Sequence, residues 1–486
     1  MKVAVEYLED VVYPDKENLI YPDEFYPELK INYDKVSQDN KVFSMLRAIF
    51  IKMGYDKENF NSPEWNPLGH IIKPGNVVLL KPNLVLDKNP ANLGEDCLYT
   101  NPSIVSAMIN YVWIALKGSG KIIVADAPVQ QCDFENLIET SGYKRAVEFF
   151  KSQNIDIDLL DLRGLKSKKE NGVLIQETNQ KNGIVVDLGA VSQHAKLSVD
   201  ELKKIRITDY DPKELLNHHN QEKHEYCIAE EILSADVIIN MPKPKSHRKA
   251  GLTISLKNMV GANVRKEYLP HHRMGDKNNG GDEYSSKSVF LKANGKFLDL
   301  RNSVDSKTNR YKYIFYGKMA SVCSHLDKAL FSKQSMREGS WYGNDTIWRT
   351  IIDLNKVILY ADKNGVMRDT PQRKMIVCAD MIVVGEKEGP LLPSPKYCGI
   401  ISYSENNVCF DEAIATLMGF DINKFPLFSN TRGLDRYPLI NDPDNYATII
   451  SNNEKWNSKS IYEFDRNITL NIEPCSEWKG HIELGV

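Results

Sequence analysis

A chain of 486 residues exceeds the size at which one hydrophobic core stops growing, so one large elaborated domain or two to three smaller ones are expected. With 42% hydrophobic and 26% charged residues the composition is globular, and a net charge of -3 with both signs interspersed excludes the basic stripe of a nucleic-acid binder. No apolar run approaches the ~20 residues of a membrane span, and the eight cysteines are scattered without a C-x-x-C pair, which argues against a zinc ribbon, an iron–sulfur cluster or a thioredoxin-like motif. A cytoplasmic protein with reduced core cysteines, and with neither a nucleic-acid nor a membrane partner, is the expectation.

The opening MKVAVEYLED alternates like a strand and then turns acidic, unlike a signal peptide. Asn76 to Leu80 is a buried apolar strand that ends in Lys81-Pro82-Asn83. Asn101-Pro102-Ser103 supplies an N-cap and a proline in the first turn for a helix running to Leu116, which Gly118 and Gly120 stop. Lys121 to Ala125 is a second strand, closed by Asp126-Ala127-Pro128; a helix from Phe134 to Phe150 and a strand over 155–160 follow. Ala235 to Met241 repeats the strand pattern and is followed by Lys243-Pro244-Lys245-Ser246-His247. This alternation predicts an α/β fold with a mostly parallel, doubly wound sheet. Three strands ending in polar clusters would bring those clusters to one rim, where open parallel sheets bind ligands.

From about Arg265 to Asn344 the chain is rich in Lys, Asn, Gly, Asp and Ser and weakly periodic, the character of a long insertion or lid. Helical spacing returns over 346–361, a strand over 375–384 turns at Gly385–Pro390, and a short helix begins near Asp411. The expected organisation is an α/β core of residues 1–262 and 346–425, an insertion at 263–345, and a polar C-terminal extension at 426–486.

The densest chemistry lies in Met241–Gly261, MPKPKSHRKAGLTISLKNMVG. Lysine and arginine there offer fixed positive charge to phosphate or carboxylate, and His247 can move a proton near neutral pH. Lys257 interrupts an apolar stretch, and a lysine held in such surroundings acquires a lowered pKa and can act as base or nucleophile. His247 and Lys257 are therefore the candidate catalytic pair, with Lys81, Asn83, Asp126, Lys245, Asn258 and Asp411 as candidate substrate-binding residues. Asp411 also stands where a helix N-cap belongs. Gly385–Gly389 has the look of a glycine-flanked anion loop, and Trp341 and Trp348 could wall a lid or simply pack.

These motifs resemble those of the family known as domain of unknown function 362. The resemblance rests on Lys245-Ser-His247, on Thr253-x-x-x-Lys257-Asn258-x-x-Gly261, and on Lys81-Pro-Asn83, Asp126 before Pro128, Glu388-Gly-Pro390 and the Asp411 to Asp421 segment, across residues 70–425. It implies the fold and the site's position but transfers no activity. Some members look fused to ferredoxin-type modules whose cysteines this chain lacks.

A second constellation, His271, His272, Asp282 and Glu283, offers ligand types for a divalent metal without any fixed-spacing metal motif. His218, His219 and His224 read as a surface cluster. The expected function is an enzyme acting on an anionic small metabolite, phosphorylated or carboxylated and sugar-like, by Lys/His acid–base chemistry. A metal-dependent redox or isomerising enzyme built on the insertion and a non-catalytic anion binder are the alternatives; an oligomer is compatible with either.

Overall fold

The structure, a computed structural model, describes residues 1–485 apart from 171–172, 180, 286 and 332–337. Eleven strands form its main sheet among the described residues: β1 (Lys2–Tyr7), β2 (Val77–Pro82), β3 (Lys121–Asp126), β4 (Ile157–Asp161), β5 (Val237–Met241), β6 (Lys245–His247), β7 (Gly251–Thr253), β8 (Lys374–Glu388), β9 (Leu392–Ser404), β10 (Thr448–Ser451) and β11 (Lys459–Ser460). Helices used below are α1 (Val42–Met53), α2 (Pro102–Leu116), α3 (Phe134–Ser141), α4 (Tyr143–Ser152), α5 (Ser255–Asn258), α6 (Val289–Asn302), α7 (Arg310–Phe331), α8 (Ile347–Tyr360) and α9 (Asn407–Met418).

Across the sheet the order is β11-β10-β1-β9-β8-β5-β2-β3-β4, with β6 set between β7 and the far end of β8. From β8 to β4 every neighbour is parallel, while β9 runs against both β8 and β1. The sheet is thus mostly parallel, as the strand–helix rhythm predicts. Alternate residues of each strand enter different cores because successive side chains point to opposite faces. Val78, Leu80, Ile122 and Val124 pack under α1, α2 and α4. Leu79, Ile123, Ala125 and Ile238 pack against α8 and α9 on the other face.

Local chemistry sets the helix boundaries. Asn101 accepts a hydrogen bond from Ser103 N and Pro102 starts α2, as the sequence indicates. The single helix expected over 134–150 is instead two, α3 and α4, because Gly142 takes a left-handed φ of 96° between them. The helix expected from Asp411 begins earlier, capped by Asn406, so Asp411 lies inside α9 rather than at its start.

Two other expectations are revised. The last sixty residues form no loose polar tail: β10 pairs with β1, and Trp456, Phe464, Ile472 and Trp478 are buried in the core on the α8/α9 side. His219 and His224, read as surface residues, are 0% and 2% exposed and gather with His194 at ring separations of 5.6–6.1 Å. A polar local sequence concealed a tertiary burial.

Candidate functional site

Parallel strands end at the same edge, and register puts the predicted clusters there together. Asn240 pairs with Lys81 and Met241 with Pro82, while Lys245 pairs with Gly385 at the continuation of β8. Beyond the strand ends lie β6, β7, α5 and the turns that join them, over residues 243–266.

The floor of this rim is a buried polar network in which, of its side-chain atoms among the described residues, only Asn83 Oδ1 is left without a partner. Lys81 Nζ donates to Asp126 Oδ1 at 2.5 Å, and Asp126 also accepts from the backbone N–H groups of Leu84 and Ala127 at 2.7 and 2.9 Å. Asn258 Nδ2 donates to Lys81 O at 3.1 Å and to Asn240 Oδ1 at 2.8 Å, and its Oδ1 accepts from Asn83 Nδ2 at 2.9 Å. Asn240 in turn donates to Ser255 O at 2.8 Å. Lys81 and Asn240 are wholly buried, and Asn83, Asp126 and Asn258 nearly so. Thr100 joins the floor by accepting from Asn83 N and donating to Met241 O at 2.7 Å.

The Thr-x-x-x-Lys-Asn-x-x-Gly element now has a physical account. Asp411 presents its carboxylate to the N–H groups of Ser255 and Leu256 at 2.8 and 2.9 Å and accepts from Ser255 Oγ, so it fixes the start of α5 from a neighbouring helix. Burial raises its pKa from 3.8 to about 7. Asn258 ties the other end of α5 to β2. At Gly261 a β-carbon would come within 2.1 Å of Asp126 Oδ1 and 2.8 Å of Lys81 Nζ, so only glycine lets the chain pass over that ion pair. Between these anchors Lys257 is left partly exposed.

Lysines on this rim fall into two kinds. Lys243 pairs with Asp380 at 3.0 Å, both side chains at 0% exposure, and donates to Tyr13, whose hydroxyl donates to Asp380 at 2.5 Å. Lys245 is equally buried and donates to Leu98 O at 2.5 Å. Lys257 and Lys266 differ: both are partly exposed, and among the described residues neither ammonium has a hydrogen-bond or ion-pair partner. Burial, with repulsion from Lys266, Lys249 and Lys81, lowers Lys257 from 10.5 to about 7. Burial lowers Lys266 to about 8 against the pull of Asp126. Lys249, also partly exposed, donates to Thr208 Oγ1 at 3.2 Å and stands 4.0 Å from Glu338.

His247 is 7% exposed, and its Nδ1 accepts from the backbone N–H groups of Lys249 and Ala250 at 3.0 and 3.1 Å. That fixes the neutral tautomer with hydrogen on Nε2. Burial, Lys257, His271 and Lys249 hold its pKa well below 6.5. An imidazole so held donates a hydrogen bond rather than taking up a proton.

Of the predicted residues the structure therefore brings Lys81, Asn83, Asp126, Lys245, His247, Lys257 and Asn258 to one rim. Lys81, Asn83, Asp126, Lys245, Asn258 and Asp411 form its frame, and their polar atoms are turned mainly to one another or to backbone. Lys249 lay within the basic run already singled out by its sequence. Lys266 gave no comparable signal, standing in a segment that reads as insertion.

The four insertion residues do not converge as a ligand set. Asp282 accepts from Arg273 N at 2.5 Å, Asp345 N at 3.0 Å and Thr346 Oγ1 at 2.5 Å, which engages both oxygens ahead of α8. Glu283 accepts from Gly275 N at 3.0 Å and burial raises it to about 7; His271 Nδ1 donates to Leu269 O at 2.7 Å, while His272 Nδ1 is buried without a partner. Among the described residues no group of three or more His, Cys, Asp or Glu is arranged to hold a metal ion. The tryptophans pack: Trp341 donates to Asp282 O at 2.8 Å and Trp348 to Asp345 at 2.9 Å. Gly385 and Gly389 admit the Lys245–Ser246 backbone at close range, where β-carbons would meet Lys245 Cβ at 2.7 Å and Ser246 O at 2.1 Å.

Comparison with known proteins agrees with the motifs. The family model described as Domain of unknown function (DUF362) matches residues 78–178 and 162–416, and the chain belongs to that family. It is similar to the thylakoid-associated protein sll1697 of Synechocystis sp. (strain ATCC 27184 / PCC 6803 / Kazusa), at 27% identity over 194 residues, 40% of this chain and 41% of that relative. No solved structure matches.

Proposed function

Starting from that membership, we propose that the protein is an enzyme that binds an anionic small molecule, carrying a phosphate or carboxylate, between Lys249, Lys257 and Lys266. One observation carries this reading: Lys257 and Lys266, cations of like charge, are held together above a floor that leaves them no acid to pair with, and Lys249 beside Lys257 has only Glu338 at 4.0 Å. Crowding cations costs stability, and an anionic ligand removes that cost.

Chemistry follows from the same groups. Lys257, near 7, has a substantial neutral fraction at physiological pH and can take a proton from the bound molecule. His247 offers Nε2–H to an oxygen on which negative charge develops. Lys249 and Lys266 hold the anion. A cytoplasmic location accords with eight free cysteines, all buried. No described helix is long and apolar enough to cross a membrane.

Thermal-shift titration with inorganic phosphate, sugar phosphates and small carboxylates tests the reading. An anion at about 100 times its dissociation constant adds roughly 2.7 kcal/mol of stability. Stabilisation by an anion that survives unchanged in Lys257→Met and Lys266→Met would overturn it, as would stabilisation by neutral analogues alone.

A further inference from the structure

Away from the rim, the insertion carries α6 and α7 packed against each other as a helical hairpin. Its inner side is well made. Leu291, Asn294 and Gly295 of α6 and Ala320, Cys323 and Asp327 of α7 are buried. Asn294 donates to Ala320 O at 2.6 Å, and Ser288 donates to the Asp327 carboxylate.

The outer side of α7 is apolar. Tyr311 is 90% exposed, Phe315 55%, Val322 50% and Leu326 42%. Steps of four, seven and four residues put them on one stripe of a helix. Lys318, Ser321, Val322, His325, Leu326 and Ala329 line a shallow trough of about 560 Å³ along it. Single exposed apolar residues are ordinary, but four aligned along one face of a 22-residue helix mark a surface that something covers.

Charge identifies the cover. Lys312, Lys318 and Lys328 are exposed on α7, and the helix's single acid, Asp327, is turned inward. A second copy of the chain laid along this stripe would set lysine against lysine with no acid on α7 to answer it. An apolar stripe with Lys318 on it and Lys312 and Lys328 to its sides matches an anionic bilayer surface, where a lysine stem can lie along the apolar face and reach a head group. No described helix is built to span a bilayer, so α7 would lie in the plane of the interface. We propose that the outer face of α7 docks on anionic lipid, with Tyr311, Phe315, Val322 and Leu326 entering the interfacial region and the three lysines meeting head groups. The sequence expectation of no membrane partner rested on the lack of a spanning run, which a surface helix does not need.

Co-sedimentation of the full chain with phosphatidylglycerol/phosphatidylcholine vesicles, against phosphatidylcholine alone, tests this. Binding to the anionic vesicles at low salt is expected, falling roughly fivefold or more for each of Lys312→Glu and Lys318→Glu. Phe315→Glu and Leu326→Glu should abolish it; both side chains are exposed, so the thermal midpoint should hold. Phe315→Trp should keep binding and shift its added emission to the blue on vesicles. No binding to anionic vesicles, binding indifferent to Phe315→Glu and Leu326→Glu, or a concentration-dependent dimer that Leu326→Glu dissociates would each overturn the proposal, the last in favour of a second copy.

Discussion

Lys243 and Lys257 sit at the same end of the same sheet, and the fold treats them oppositely. Lys243 is enclosed with Asp380 and Tyr13, and every charge there has a counterpart. Lys257 is held among Lys249, Lys266 and Lys81 and left partly open. Buried ion pairs contribute little net stability but are costly to break, because one partner stays behind unpaired. Unpaired cations such as Lys257 and Lys266 behave in the reverse way: they cost stability while the site is empty and yield binding when an anion arrives. The first arrangement fixes the position of the strand ends; the second stores affinity there.

The largest expected effect comes from breaking the enclosed pair. Asp380→Asn should destabilise the chain by about 3–5 kcal/mol, measured by denaturant unfolding, because Lys243 keeps its charge without a counterpart. A loss below about 1 kcal/mol would place the two regions on the same footing and defeat the comparison. Gly261→Ala should come next, at roughly 1–3 kcal/mol, since its methyl group meets the Lys81–Asp126 pair at 2.1 and 2.8 Å. Anion binding should weaken with it, as α5 and Lys257 are displaced.

Lys257→Met should have the opposite sign. With no acid partner to strand, folding should be unchanged or firmer by up to ~1 kcal/mol, while the anion-induced thermal shift disappears. Full anion response in well-folded Lys257→Met sinks the assignment. The pH dependence sharpens the point. Because the folded pKa is depressed to about 7 from 10.5, the unfolded chain holds the extra proton between those values, so this lysine makes stability rise as pH increases through that window. The difference in denaturation midpoint between pH 6.5 and 9.5 should shrink in Lys257→Met; an unchanged difference contradicts the depressed ammonium.

The smallest effect at neutral pH belongs to the histidine group. Burial lowers His219 to about 3 and His224 to about 4 from 6.5, so their contribution is lost as pH falls from 6.5 toward 4. His224→Asn should flatten acid unfolding in that range while barely moving the midpoint at pH 7. An acid profile identical to the parent's would mean the cluster opens before it titrates.

Much of the architecture could be read in the chain because buried parallel strands are short, mostly apolar runs, as in β2, β3 and β5, and because Asn101-Pro102 and the glycines punctuate it. The convergence of Lys81, Asp126, Lys245 and Lys257 followed from the rule that parallel strands end together. The sorting of those residues into frame and accessible group did not, because whether a lysine finds a carboxylate depends on partners far away in the chain, as Lys243 does with Asp380. Lys266 was missed for the same reason, and His219 and His224 were misplaced because polar neighbours in sequence say nothing about what packs over them. The C-terminal segment looked polar since its buried residues are spaced among Asn, Asp and Lys rather than gathered in a run.

One feature of the sheet bears on how the chain is made. Strand β1, whose Val3, Ala4 and Val5 are completely buried, lies between β9 and β10, with Ala4 opposite both Tyr403 and Ile450. At ~5–20 residues per second, ribosomes need tens of seconds or more to deliver those neighbours after β1 has emerged. Throughout that interval β2, β3 and β4 can assemble with α2 and α4 from nearby sequence, while β1 remains an apolar strand without edges to join. While the residues between β1 and β9 are being made, β1 would thus stand as a sticky segment with no strand to pair, and chaperone capture should map to residues 2–7 until residue 451 has cleared the exit tunnel.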